Sequence, residues 1–172
     1  MTGLDIPLAG KDVIIIGNAQ SLFDHDHSAL INYHDVVVRM NAGVELNHRQ
    51  IELTTDRCDM YTGSGSFFDL SRCTVEEPEW LVYMTPKGRE GLHENIQFYP
   101  LEWWRVLFTE LGEARPSTGI MTIDMCLRLG GKVSIVGFDW YTTPTFYGTH
   151  ASPVHNFCRE KDWIEHMPVE VI

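Results

Sequence analysis

Asp12-Val13-Ile14-Ile15-Ile16-Gly17-Asn18 is the stretch that decides the fold. Four successive β-branched apolar residues close on a glycine. That pattern predicts a strand buried on both faces, as strands of a parallel sheet are. Asp35-Val36-Val37-Val38-Arg39 repeats it and runs into Met40-Asn41. Between them, a turn at Asn18–Ser21 and a short helix to about Asn32 are expected. Strand, helix and strand within about 30 residues make a βαβ unit.

Outward from this unit, strands are predicted at Asp59–Thr62, Trp80–Met84 and Ile96–Tyr99, and helical stretches near Lys87–Asn95 and Leu101–Leu111. Pro116-Ser117-Thr118-Gly119-Ile120-Met121 opens a further helix, expected to run to about Leu129. Its face carries Ile120, Ile123 and Leu127, and Gly130-Gly131 is a helix stop. The strand Lys132–Val136 follows. Asp139–Pro153, rich in Thr, Pro, Tyr and Gly, reads as a loop. A last helix is expected from Ser152 as cap and Pro153 as first residue to about His166. The sum is α/β: one domain over residues 1–172, with a mostly parallel central sheet and at least one Rossmann-like half.

Composition sets the outer limits. The chain has 172 residues, 44% of them hydrophobic and 22% charged, which is globular material with enough length for a core. No apolar run approaches the roughly 20 residues of a membrane span. The first residues lack the basic flank and apolar stretch of a signal peptide, so a cytoplasmic location is expected. A net charge of −11 excludes a basic nucleic-acid or anionic-membrane surface and leaves room for a small anionic ligand. Cys58, Cys73, Cys126 and Cys158 have no CxxC spacing. They read as small apolar residues, with a disulfide or zinc site as the other option.

In an open parallel sheet, ligands bind beyond the carboxyl ends of the strands. Asn18 and Asn41 stand there, and each amide offers a donor and an acceptor to a ribose or phosphate. Either one alone also suits a turn. The Ser117-Thr118-Gly119 turn leads a helix whose first N–H groups lack intrahelical partners, which is an anion site in waiting. Gly17-Asn18-Ala19-Gln20 is not GxGxxG, and no P-loop motif occurs. His155 falls in the first turn of the expected last helix. There it can act as a base or lie on an exposed helical face, with Glu160 one turn on to orient it. Asp24-His25-Asp26-His27 has the look of a metal cluster or a DxD motif. Its place inside the first crossover favours a solvated face. Among the aromatics, Trp140, Tyr141 and Tyr147 are candidate ligand platforms, because their loop lies between the Pro116 turn and His155.

These segments, in this order, resemble the eukaryotic-type sialyltransferase family. Its large motif is similar to Val13–Asn18 through Asp35–Asn41. Its small motif resembles Pro116–Met121 ending at Val136-Gly137-Phe138. Its very small motif, HxxxxE, resembles His155 with Glu160. The third motif has only a loose counterpart in Phe146-Tyr147-Gly148-Thr149-His150, where His150 stands in for the family's histidine. The resemblance spans roughly residues 11 to 160.

The resemblance implies a metal-independent, GT-A-like variant fold and an inverting glycosyltransferase. The donor would be a CMP-sugar such as CMP-sialic acid and the acceptor a glycan or other hydroxyl, with no further cofactor. It implies that Asn18 and Asn41 hold the cytidine monophosphate, that Ser117, Thr118 and Gly119 bind its phosphate or ribose, and that His155 is the general base. Another donor such as CMP-Kdo, or a noncatalytic nucleotide- or glycan-binding module, remains an alternative. The family's cysteine pair is replaced here by Lys11 or Asp12 and by Gly130 or Gly131, which fits a reducing compartment.

Overall fold

A computed structural model describes residues 3–172. Seven strands form one sheet: β1 (Asp12–Ile16), β2 (Val36–Met40), β3 (Met60–Gly63), β4 (Trp80–Tyr83), β5 (Ile96–Phe98), β6 (Lys132–Val136) and β7 (Val169–Val171). Their order is β5-β4-β3-β2-β1-β6-β7, and every pairing is parallel. The chain walks outward from β1 to β5, then returns to the other side of β1. The crevice between β1 and β6 is therefore a topological switch point, where open α/β sheets bind ligands.

Alternate residues of the central strands feed opposite layers, as the period of two requires. Val13, Ile15, Val36, Val38, Val133 and Ile135 pack on one face with α3 (Leu101–Glu110), α4 (Thr118–Arg128) and α5 (Phe157–Glu165). Ile14, Ile16, Val37 and Val136 pack on the other with Leu22 and with Ile31 of α1 (Ser28–Tyr33). Ile14 and Ile15 are fully buried, which explains the unbroken apolar run. Each such side chain contributes about 1.5–3 kcal/mol by leaving water.

α4 has the ends its sequence predicts. The Ser117 side chain caps it by accepting from the Ile120 N–H at 3.3 Å. At the other end, the Gly130 N–H donates to the Leu127 carbonyl and the Gly131 N–H to the Cys126 carbonyl, both at 3.0 Å. This is a Schellman closure, with Gly130 in the left-handed region at φ 81°.

Three expectations need correction. Lys87–Asn95 forms turns instead of a helix: Gly88 and Gly91 both take positive φ, which breaks helical continuity. The last helix starts at Phe157 with Asn156 as its cap, because Ser152–His155 closes a separate turn. The segment expected as one short helix up to Asn32 divides into a 3-10 turn at Gln20–Asp24 and then α1. α2 (His48–Thr54) and β7 were not expected at all.

Asp26 accepts from the Ser28 N–H and hydroxyl, which closes a local turn ahead of α1. No helix among the described residues is long and apolar enough to cross a membrane.

Candidate functional site

Gly17 and Gly137 close the floor of the switch-point crevice. The Gly17 N–H donates to the Val136 carbonyl at 2.7 Å. A Cβ on Gly17 would lie 2.2 Å from the Gly137 oxygen, so only glycine lets these two strand ends meet. Above them opens a cavity of about 100 Å³, lined from the ends of β1, β2 and β6.

Asn18 follows β1. Its Nδ2 donates to the Met40 carbonyl at 3.0 Å and to the Tyr147 hydroxyl at 3.2 Å. Asn41 follows β2 with φ 51°, and its Oδ1 accepts from the Ser64 N–H at 3.1 Å. Among the described residues, nothing bonds Asn18 Oδ1 or Asn41 Nδ2. One acceptor and one donor are thus left unbonded on two residues that line the cavity.

Ser117 and Gly119 bring the start of α4 to the same cavity, and Glu160 reaches it from α5. Glu160 is buried, at 3% exposure. Its Oε1 accepts from the Ser117 N–H at 2.8 Å and its Oε2 from the Ser117 hydroxyl at 2.7 Å. Burial pushes the Glu160 carboxyl up to about 7, against the pull of those two bonds. Thr118 is also buried, but its hydroxyl donates to Ser64 Oγ at 2.7 Å and it does not line the cavity.

The loop after β6 supplies an aromatic wall of Trp140, Tyr141 and Tyr147, joined by Phe138 and Phe157. Trp140 and Tyr141 sit at φ 57° and 60°. Left-handed backbone at two successive bulky residues costs about 1–3 kcal/mol each and needs support from its surroundings. Asp139 gives that support: its Oδ2 accepts from the Ser21 hydroxyl, the Thr143 N–H and the Thr143 hydroxyl. The Phe146 N–H donates to the Asn18 carbonyl and the Gln20 N–H to the Pro144 carbonyl, which ties the loop to the end of β1.

His155 stands apart. It precedes α5, where the sequence placed it inside the first turn, and it lines a separate shallow depression with Ala114, Pro153, Val154 and Cys158. Its Nδ1 lies 2.8 Å from the Arg115 carbonyl. Burial, first of all, holds the imidazole below the ordinary histidine range. Phe157 borders both hollows, its ring centroid 4.3 Å from that of Tyr141 and 5.7 Å from that of His155, tilted against each. Glu160 does not orient His155, because its two oxygens are committed to Ser117. His150 is exposed and lines neither hollow.

Solved structures share this arrangement of strands and helices. A mammalian sialyltransferase in complex with Gal-beta-1-3GalNAc-ortho-nitrophenol superposes with a TM-score of 0.70 at 16% identity, over 94% of this chain and 69% of that one. A second structure of a mammalian sialyltransferase gives 0.69 at 15% identity, over 94% and 68%. The sialyltransferase CstII from Campylobacter jejuni, in complex with the substrate analogue CMP-3FNeuAc, gives 0.61 at 18% identity, over 94% and 78%.

The fold is sialyltransferase-like.

No protein-family model matches the chain, and no curated protein sequence matches it. Within this sialyltransferase-like fold, five of the eight expected site residues share one cavity: Asn18, Asn41, Ser117, Gly119 and Glu160. Sequence reasoning missed Asp139, Gly43 and Phe157. Asp139 stands just past β6 at the switch point, so the strand-end rule that found Asn18 and Asn41 applies to it equally. Gly43 carried no local signal. A Cβ there would come within 2.3 Å of Asn18 Oδ1, a relation only the folded chain reveals.

Proposed function

We propose that this protein is a glycosyltransferase that binds a CMP-activated sugar acid in the switch-point cavity, with cytidine monophosphate as the leaving group. The observation that carries this reading is the meeting of Asn18, Asn41, Ser117 and Gly119 on one cavity in a sialyltransferase-like fold. The neighbour solved with CMP-3FNeuAc supports the choice of nucleotide. Asn18 Oδ1 and Asn41 Nδ2 would take the cytidine or its ribose, and the start of α4 would take the phosphate.

The reaction is an inverting displacement. An acceptor hydroxyl loses its proton to His155 Nε2, its oxygen bonds to the anomeric carbon, and the bond from that carbon to the phosphate oxygen breaks. CMP leaves with the electron pair. A general base of this kind contributes about 10²–10⁴-fold. No metal or further cofactor takes part, so turnover should persist in EDTA. CMP-Kdo is an alternative donor within the same reading. The four free cysteines support a reducing, cytoplasmic compartment.

A second reading follows from the position of His155 behind Phe157: a noncatalytic module that binds the nucleotide alone. Calorimetry with CMP, together with donor hydrolysis by the wild type and His155→Ala, separates the two. Binding with turnover that His155→Ala abolishes supports the enzyme. Binding without turnover on any acceptor supports the module. Absence of CMP binding at millimolar concentration defeats both.

A further inference from the structure

The start of α4 already holds an anion. Glu160 places one carboxylate oxygen on the Ser117 N–H and the other on the Ser117 hydroxyl. These are donors that an incoming phosphate would use at a helix N-terminus. Glu160 is almost fully buried, lines the cavity, and enters none of the ion pairs found among the described residues. A helix end offers only about half a positive charge, and two anions sharing one water-poor site cannot both stay ionised at little cost.

We propose that a nucleoside monophosphate binds the start of α4 only together with a proton taken up by Glu160. This rests on the nucleotide reading above. The proton comes from solvent and adds to Oε2. The Ser117 N–H keeps its bond to Oε1, and the Ser117 hydroxyl turns its hydrogen from Oε2 to a phosphate oxygen. The neutral carboxyl then donates its own O–H to the phosphate or to Ser117 Oγ, so no donor is lost. Glu160 thereby becomes a positioning residue: it sets where the phosphate settles and links that event to pH.

The surroundings suit this role. Burial already keeps the Glu160 carboxyl near neutrality, at about 7. Tyr141 faces it from the loop after β6, and Asp139 and Tyr147 share the cavity. The Asp139 carboxylate is occupied by Ser21 and Thr143. Arg159 and Lys161 flank Glu160 on α5 and Arg115 precedes the turn, yet none pairs with it. His155, whose imidazole burial holds below the ordinary histidine range, lies in the other hollow.

The test is calorimetry of CMP binding in buffers of different ionisation enthalpy near pH ~7.5, on the wild type and Glu160→Gln, with neutral cytidine as control. The wild type should take up about one proton per CMP, and its affinity should fall about tenfold between pH ~7 and ~8.5. Glu160→Gln should take up none and bind CMP more tightly than the wild type at the upper pH. An infrared difference spectrum of the wild type should gain a protonated-carboxyl band on CMP addition, a readout that needs no variant. CMP binding without proton uptake or without that band overturns the proposal, as does uptake that persists in Glu160→Gln, since the proton then sits on the phosphate or on His155. If CMP fails to bind the wild type at any pH, the nucleotide reading itself falls and this inference with it.

Discussion

The Nδ1 of His155 lies 2.8 Å from the carbonyl oxygen of Arg115, 40 residues earlier in the chain. A carbonyl can only accept, so Nδ1 carries the hydrogen and Nε2 keeps its lone pair. The tautomer follows from the hydrogen bond, and it is the one a general base needs.

His155→Ala should abolish donor turnover and leave CMP affinity within about twofold, because the histidine does not line the cavity. The same base fixes a pH limb. Burial lowers the imidazole from the usual value of about 6.5, so the ring protonates and the rate falls only below that value. Single-turnover rates between pH ~5 and ~8 should show one acid limb of this kind. A fall in rate on acidification that sets in above that value would assign the base elsewhere.

Glu160 also leaves a mark on stability. Its folded carboxyl sits near 7 against an ordinary value of 4.5, so the folded state binds this proton more tightly than the unfolded one. The stability it contributes is fully present below pH 4.5 and is lost as pH rises through about 7. The full span is about 3 kcal/mol, since each tenfold gain in proton affinity is worth about 1.4 kcal/mol. Glu160→Gln should therefore stabilise the protein by about 1–3 kcal/mol at pH ~8 and by little at pH ~4.5. Urea unfolding at the two pH values measures this, and an equal effect at both would contradict it.

Gly43→Ala tests the Asn18 geometry. The added methyl would meet Asn18 Oδ1 at 2.3 Å and push the amide off its bonds to Met40 and Tyr147. Overpacking of this sort costs about 1–3 kcal/mol. CMP affinity should fall at least about tenfold in a protein that still folds, since each lost hydrogen bond is worth about 1 kcal/mol. Unchanged affinity would remove Asn18 from the site.

Arg39 is a structural counterpart. It is 1% exposed, and burial lowers its guanidinium to about 10, which leaves it charged. Nη2 donates to the Thr54 and Thr55 carbonyls at 2.8 and 2.7 Å, and Nε to the Arg57 carbonyl at 3.0 Å. It thus ties the end of α2 to the strand that delivers Asn41. Arg39→Met should destabilise by about 3 kcal/mol, because one buried and two half-buried carbonyls lose their partner. Arg39→Lys should recover only part of that, since one ammonium cannot match the fork. Urea midpoints of the three proteins give the comparison.

The parallel sheet was legible because β1, β2 and β6 are buried on both faces, and an unbroken apolar run has few other meanings. The ends of α4 were legible because a serine cap and a glycine closure are local chemistry. α2 had such a signal too: Asn47 and Gln50 form a reciprocal capping box, and it went unread. β7 has three residues and forms only by pairing with β6, so no local pattern announces it.

At the site, strand ends pointed to Asn18 and Asn41. The pairing of Ser117 with Glu160 spans 43 residues and depends on how α5 docks beside α4. The separation of His155 from the cavity depends on where α5 begins, and a proline-led turn before Asn156 displaced that start from the expected position.

The central claim is that the crevice between β1 and β6 receives cytidine monophosphate. A crystal structure of the protein soaked with CMP tests it most directly. The account predicts CMP in that cavity, its phosphate on the N–H groups at the start of α4 and its nucleoside within hydrogen-bond reach of Asn18 Oδ1 and Asn41 Nδ2. CMP bound in the hollow beside His155, or a cavity left empty at saturating nucleotide, would contradict it.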